Sequence, residues 1–142
     1  MEHRNRWILA ALIGAGLQLT ACAKLPEATH AEHPAEVEAI PGSDVKRVTL
    51  TERAGERLDL KTDEVRELNG QKVVPYASLI YDPNGRTWVY TSPAPRTFVR
   101  HEVEIDRIVG DLVVLKAGPP TGTVVASLAV AELYGTEFAV GH

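Results

Sequence analysis

Apolar residues along this chain fall in short runs or alternate with polar ones, and turn residues interrupt them at close intervals, which predicts a domain built mainly from short strands. Val45, Val48 and Leu50 supply the first strand. Thr51 then stands as a helix N-cap before residues 52–58, with Glu52 early and Arg57 late, an order that suits the helix dipole. Gly55 weakens that short helix. Residues 62–68 read as a strand, and Asn69-Gly70 is a two-residue hairpin signal into Lys72, Val73 and Val74. Residues 77–81 run into Asp82-Pro83-Asn84-Gly85, where each residue type fits a turn position. Residues 87–91 are β-branched and aromatic throughout, hence a strand. Residues 98–108 alternate, with Val99, His101, Val103 and Ile105 on one side and Arg100, Glu102, Glu104 and Asp106 on the other. Gly110-Asp111 turns the chain into residues 112–115, a Gly- and Pro-rich loop over 118–122 precedes 123–125, and 127–134 closes the pattern as a short helix or a last strand. The expected fold is one mostly-β domain over 45–142, roll- or barrel-like, with six to eight strands and one or two short helices.

The first 44 residues lack this pattern. Arg4 and Arg6 precede an apolar stretch from Trp7 to Leu17, and Leu19-Thr20-Ala21-Cys22 follows. Basic start, short apolar run and small residues make 1–21 a secretory signal. The run is shorter than the roughly 20 apolar residues that span a bilayer. Leu19-Thr20-Ala21-Cys22 resembles a bacterial lipoprotein signal, in which the cysteine thiol receives a diacylglycerol and becomes the first residue after cleavage. Cys22 is the only cysteine, so no intrachain disulfide forms, and lipidation removes a thiol that would otherwise be free. Residues 22–44 are rich in Ala, Glu and Pro; Pro26, Pro34 and Pro41 favour extended backbone, and the segment reads as a flexible tether. The expected address is the cell envelope, with the chain anchored to a bacterial membrane through Cys22. The formal net charge is −4, and no Lys/Arg-rich block gives a reason to expect nucleic-acid binding.

Two stretches together carry a resemblance to a known family. Val48-Thr49-Leu50-Thr51-Glu52 through Arg57-Leu58-Asp59-Leu60-Lys61-Thr62 and Val65 is similar to the opening of the membrane-proximal domain of periplasmic adaptor subunits, the membrane-fusion proteins of resistance-nodulation-division efflux pumps. Val74-Pro75-Tyr76-Ala77-Ser78-Leu79 resembles the entry to the second half of that domain. Thr87-Trp88-Val89-Tyr90, Phe98-Val99-Arg100, residues 110–115, residues 118–125 and Glu132-Leu133-Tyr134-Gly135-Thr136-Glu137 follow in the family's order. In full adaptors a β-barrel domain, a lipoyl-like domain and a helical hairpin separate the two halves. Here they meet at Asn69-Gly70, so the resemblance implies the domain that packs near the pump's membrane surface without the parts that reach an outer-membrane channel. It implies a non-catalytic role, docking on or modulating a membrane transporter.

The residues offer few chemical sites. No serine sits in a nucleophile elbow and no glycine-rich loop precedes a helix, so no enzyme activity and no cofactor are expected. His30 and His33, among Glu27, Glu32 and Glu36, form a loose set of metal-compatible ligands, and they define the alternative of a metal- or small-ligand-binding lipoprotein. Tyr76, Tyr81, Trp88, Tyr90 and Phe98 cluster in sequence; they suit the core of a small β domain, and in part a docking patch, since aromatics anchor interfaces. For partner contact the candidates are Trp88, Tyr90, Arg96 and Arg100.

Overall fold

Residues 62–68 do not form one strand; the segment bends at Val65 and pairs with a different neighbour on each side of the bend. The structure is a computed structural model described for residues 33–139. The signal over 1–21, Cys22 and His30 lie outside the described residues. The strands are β1 (Ala35–Ala39), β2 (Lys46–Leu50), β3 (Thr62–Glu64), β4 (Arg66–Leu68), β5 (Gln71–Pro75), β6 (Ile80–Tyr81), β7 (Thr87–Ala94), β8 (Thr97–Val109), β9 (Leu112–Ala117) and β10 (Val124–Ala126). Helix α1 spans Glu52–Arg57, α2 spans Val130–Phe138, and a 3-10 turn covers Tyr76–Ser78. The fold is thus mostly β, as the alternating pattern implies.

The main sheet path runs β3-β10-β7-β8-β9-β5-β4 with every neighbour antiparallel. Its two ends, β3 and β4, are the two halves of the bent segment, so the path curls into a nearly closed barrel. Val65 at the bend keeps both backbone groups paired: its N–H donates to the Thr123 carbonyl at 2.9 Å, and its carbonyl accepts from the Gly122 N–H at 2.7 Å. Closure in this way leaves few open sheet edges. Asn69 and Gly70 both adopt positive φ (53° and 75°), the geometry of the mirror-image hairpin turn that matches strand twist, and Leu68 faces Gln71 across it.

Two apolar cores lie on opposite faces of β7 and β8. Inside the barrel pack Val65, Val74, Val89, Val103, Val113, Leu115 and Val125. Outside it, Val48, Leu50, Ala54, Tyr90, Phe98, Ala126, Val130 and Leu133 form the second core beneath α1, α2 and the β1–β2 hairpin. Successive residues Trp88, Val89 and Tyr90 are all buried, because β7 is covered on both faces. The Thr51 hydroxyl caps α1 as its position in the sequence suggests, accepting from the Ala54 N–H at 3.2 Å.

Two further expectations are corrected. The segment 22–44 is not a free tether throughout: β1 lies within it and pairs antiparallel with β2, from Ala35 opposite Leu50 to Ala39 opposite Lys46. Ala35-Glu36-Val37-Glu38-Ala39 alternates as a strand should, and Pro41-Gly42 makes the turn back, with Gly42 at φ 76°. In β8 the expected apolar side holds for Val103 and Ile105, which face the inner core, but the opposite face is also covered at its start. Phe98 and Arg100 are buried on the face covered by the outer core, whereas His101, placed on the apolar side by its spacing, is exposed.

Gly70→Ala is expected to lower the unfolding free energy by about 1–2 kcal/mol, because an L-residue is strained at positive φ. Urea unfolding checks this as a lower midpoint with an unchanged slope; an unchanged midpoint contradicts the assigned turn.

Candidate functional site

The most concentrated polar arrangement lies where α2 crosses the outer face of β7 and β8. Along α2, Val130, Leu133 and Glu137 share the buried face, so a carboxylate occupies what the helical period marks as a core position. Its partners come from three strands. Glu137 Oε2 accepts from the Tyr90 hydroxyl at 2.6 Å and from Arg100 Nε at 2.7 Å, and Oε1 accepts from the Lys46 backbone N–H at 3.2 Å. Lys46 Nζ donates to the Glu137 carbonyl at 3.2 Å. The Arg100 and Glu137 side chains are 3 % and 0 % exposed.

Aromatic rings surround the buried cation. The Arg100 guanidinium carbon lies 4.4 Å from the Trp88 ring centroid and 4.9 Å from that of Phe138, and Tyr134 packs against Phe138 at 4.6 Å. Arg86 also lies over Trp88, at 4.8 Å. Contacts of this kind contribute most where water is excluded, as it is here. Burial, followed by the hydrogen bond to the Glu137 carboxylate, pushes the Tyr90 hydroxyl far above its ordinary value, so it stays a donor.

A second polar node adjoins this one through Trp88. Asp82 begins the turn that joins β6 to β7. Its Oδ1 accepts from the backbone N–H groups of Asn84 and Arg86, both at 2.9 Å, and its Oδ2 accepts from Arg86 Nε at 2.8 Å and Trp88 Nε1 at 3.2 Å. Burial works to raise the Asp82 carboxyl, but these hydrogen bonds outweigh it and hold the group below its ordinary value of 3.8.

The candidate contact residues are therefore partly brought together, in a different role. Trp88, Tyr90 and Arg100 converge, but they are buried in the domain and present no surface patch; α2 covers the face on which a partner would have to land. Arg96 stands apart and exposed in the β7–β8 turn, at φ 57°, where its carbonyl accepts from the Leu50 N–H at 2.9 Å. His33 is exposed, and His30 lies outside the described residues. Among the described residues no three metal-binding side chains cluster. Glu137 was the residue that sequence reasoning missed. Its signal was available: an acid at a core phase of α2, and an arginine beside Phe98 able to meet it.

The arrangement is chemically a clamp. Its carboxylate is engaged by three donors and its cation by rings, which fastens α2 to the sheet. No protein-family model matches the chain, and no curated protein matches it.

Glu137→Ala is expected to destabilise the domain by about 3–5 kcal/mol, since Arg100 is left buried without its counter-ion. Adding Arg100→Met and Tyr90→Phe to Glu137→Leu removes the stranded cation and hydroxyl together and restores much of that loss, and urea unfolding of the single and combined variants measures the coupling. Acid titration tests the Asp82 node. A carboxyl lowered on folding contributes stability that is fully present above its unfolded value near 3.9 and is lost as pH falls through the folded one. Wild type should therefore lose stability below about pH 4, and Asp82→Asn should lack that component; parallel pH profiles contradict the assignment.

Proposed function

We propose that this chain is a non-catalytic lipoprotein of the bacterial cell envelope, anchored through Cys22, whose domain docks on or modulates a membrane transporter in the manner of the membrane-proximal domain of an efflux-pump adaptor. The observation that carries this reading is the joint at Asn69-Gly70. The stretch that resembles the first half of the adaptor domain ends in β3 and β4, and the stretch that resembles the second half begins at β5. The bent segment of the first half pairs with β10 on one side and β5 on the other, both from the second half. Two halves that interlock this closely behave as one domain, and a two-residue turn is all that is needed to connect them once the intervening domains are gone.

In this reading the lipid at Cys22 supplies membrane attachment; no helix among the described residues is long and apolar enough to cross a membrane. Anchoring raises the local concentration of the domain at a membrane partner, so a weak contact surface suffices. The rival, a metal- or small-ligand-binding lipoprotein, depends on His30 and His33.

Replacing Cys22 by Ser is expected to leave the fold intact and to release the chain from the membrane fraction; an unchanged membrane fraction refutes the anchor. Crosslinking of the wild-type chain in the native envelope should capture a transporter subunit. Recovery of lipids and peptidoglycan enzymes alone overturns the docking role, and micromolar zinc, copper or nickel binding that disappears in a His30→Ala, His33→Ala variant favours the rival.

A further inference from the structure

We propose that the outer edge of β1 is a strand-addition site for an extended peptide of a partner protein in which lysine or arginine alternates with small apolar residues. The inference rests on the edge and the groove beside it, independently of the transporter reading. β1 pairs only with β2 among the described residues. The Thr51 N–H donates to the Pro34 carbonyl at 3.0 Å, which sets the phase of the ladder. Glu36 opposite Thr49 and Glu38 opposite Arg47 repeat that bonded phase, so the backbone N–H and C=O groups of Ala35, Val37 and Ala39 point away from β2. They are a row of unused donors and acceptors of the kind an added strand takes up.

The side chains define what that strand should carry. On the odd face, Ala35 and Val37 line an open groove of about 550 Å³ with Ala131, Gly135 and the C-cap Ala139 of the α2 segment, and the polar His33, Glu132 and Thr136 also border it. Alternate residues of an added strand would project into this groove, and walls of Ala, Val and Gly leave room for small apolar side chains. On the even face stand Glu36 and Glu38. Glu38 is half-exposed and shared with Arg47 at 3.2 Å, whereas Glu36 faces the uncharged Thr49. Residues of the incoming strand that flank these carboxylates are favoured when basic. A second copy of the chain is disfavoured: antiparallel pairing of two β1 strands about Val37 sets Glu36 against Glu38 twice, like charge on like.

The probe is a fluorescein-labelled peptide, Lys-Ala-Lys-Val-Lys-Ala-Lys, titrated against the full chain in detergent micelles by fluorescence anisotropy. Binding is expected, with loss of solvent exchange at the Val37 and Ala39 amides. Val37→Pro removes an outward N–H without touching the β1–β2 ladder and should abolish binding while cooperative unfolding is retained. Should that variant fail to fold, N-methylation of alternate peptide residues tests the same bonds from the other side and should abolish binding equally. The charge arm is Glu36→Lys with Glu38→Lys, which should weaken the lysine peptide by about tenfold or more and admit the peptide Glu-Ala-Glu-Val-Glu-Ala-Glu. The proposal is overturned by absence of binding, by equal binding of both peptides to wild type, or by binding that survives N-methylation. A dimer in sedimentation that Val37→Pro dissociates would replace the peptide by a second copy.

Discussion

The ion pair between Arg100 and Glu137 is the constraint around which the outer half of the domain is arranged. Taking both charges out of water costs several kcal/mol each, and a buried pair is no source of net stability unless its remaining hydrogen-bonding capacity is used. Here it is used: the Tyr90 hydroxyl and the Lys46 N–H complete the carboxylate, and the Trp88 and Phe138 rings cover the guanidinium. The apolar core formed by Phe98, Leu133, Val48 and their neighbours supplies the driving force, at about 1.5–3 kcal/mol for each large side chain buried. The polar groups decide where α2 rests. An apolar helix face tolerates sliding and rotation, whereas Glu137 meets its three donors in one position only. α2 needs that definition, since it begins and ends on alanines in the left-handed region and has no side-chain N-cap.

The barrel is organised differently, by chain geometry. The bend at Val65 lets one segment serve both ends of the sheet path and confines the two end edges to three residues each, β3 and β4. Among the described residues the edges that remain belong to short strands: β1, β6 and the unpaired sides of β3 and β4. Carboxylates on an edge discourage pairing of like with like, and Glu36 and Glu38 serve that purpose on β1. The same two charges do not discourage a basic strand. Protection against self-association and selectivity for a partner of opposite charge are one property viewed from two sides.

What was legible in the sequence was local. Asn69-Gly70, the Asp82 to Gly85 turn and the Thr51 cap act within a few residues, through positive φ or a short side-chain bond, and each stands where its residues indicate. What was not legible depended on distance. Arg100 shares a strand phase with Glu102, Glu104 and Asp106, and period two places all four in solvent. Only Glu137, 37 residues further on, reverses that for Arg100 while the acids stay outside. The strand β1 was hidden by its context instead. Its alternation is regular, but it spans five residues between Pro34 and Pro41, in a segment whose composition reads as a tether. A composition average over twenty residues dilutes a pattern that short.

The clamp also changes where a docking role has to be sought. Trp88, Tyr90 and Arg100 have the chemistry of interface anchors, yet all of it is spent inside the domain, and exposing it would mean lifting α2 and leaving Glu137 without its donors. A surface contact therefore falls to groups that have no such internal duty. Around the β8–β9 hairpin, Ile108 and Val109 are 48 % and 57 % exposed, and Tyr76, whose N–H donates to the Asp111 carbonyl, is 47 % exposed beside them. The β1 edge offers backbone groups and charge instead of apolar area. Of the two, the edge is the more selective, because it demands strand conformation, small residues on one face and positive charge on the other. An apolar hairpin tip demands only an apolar surface.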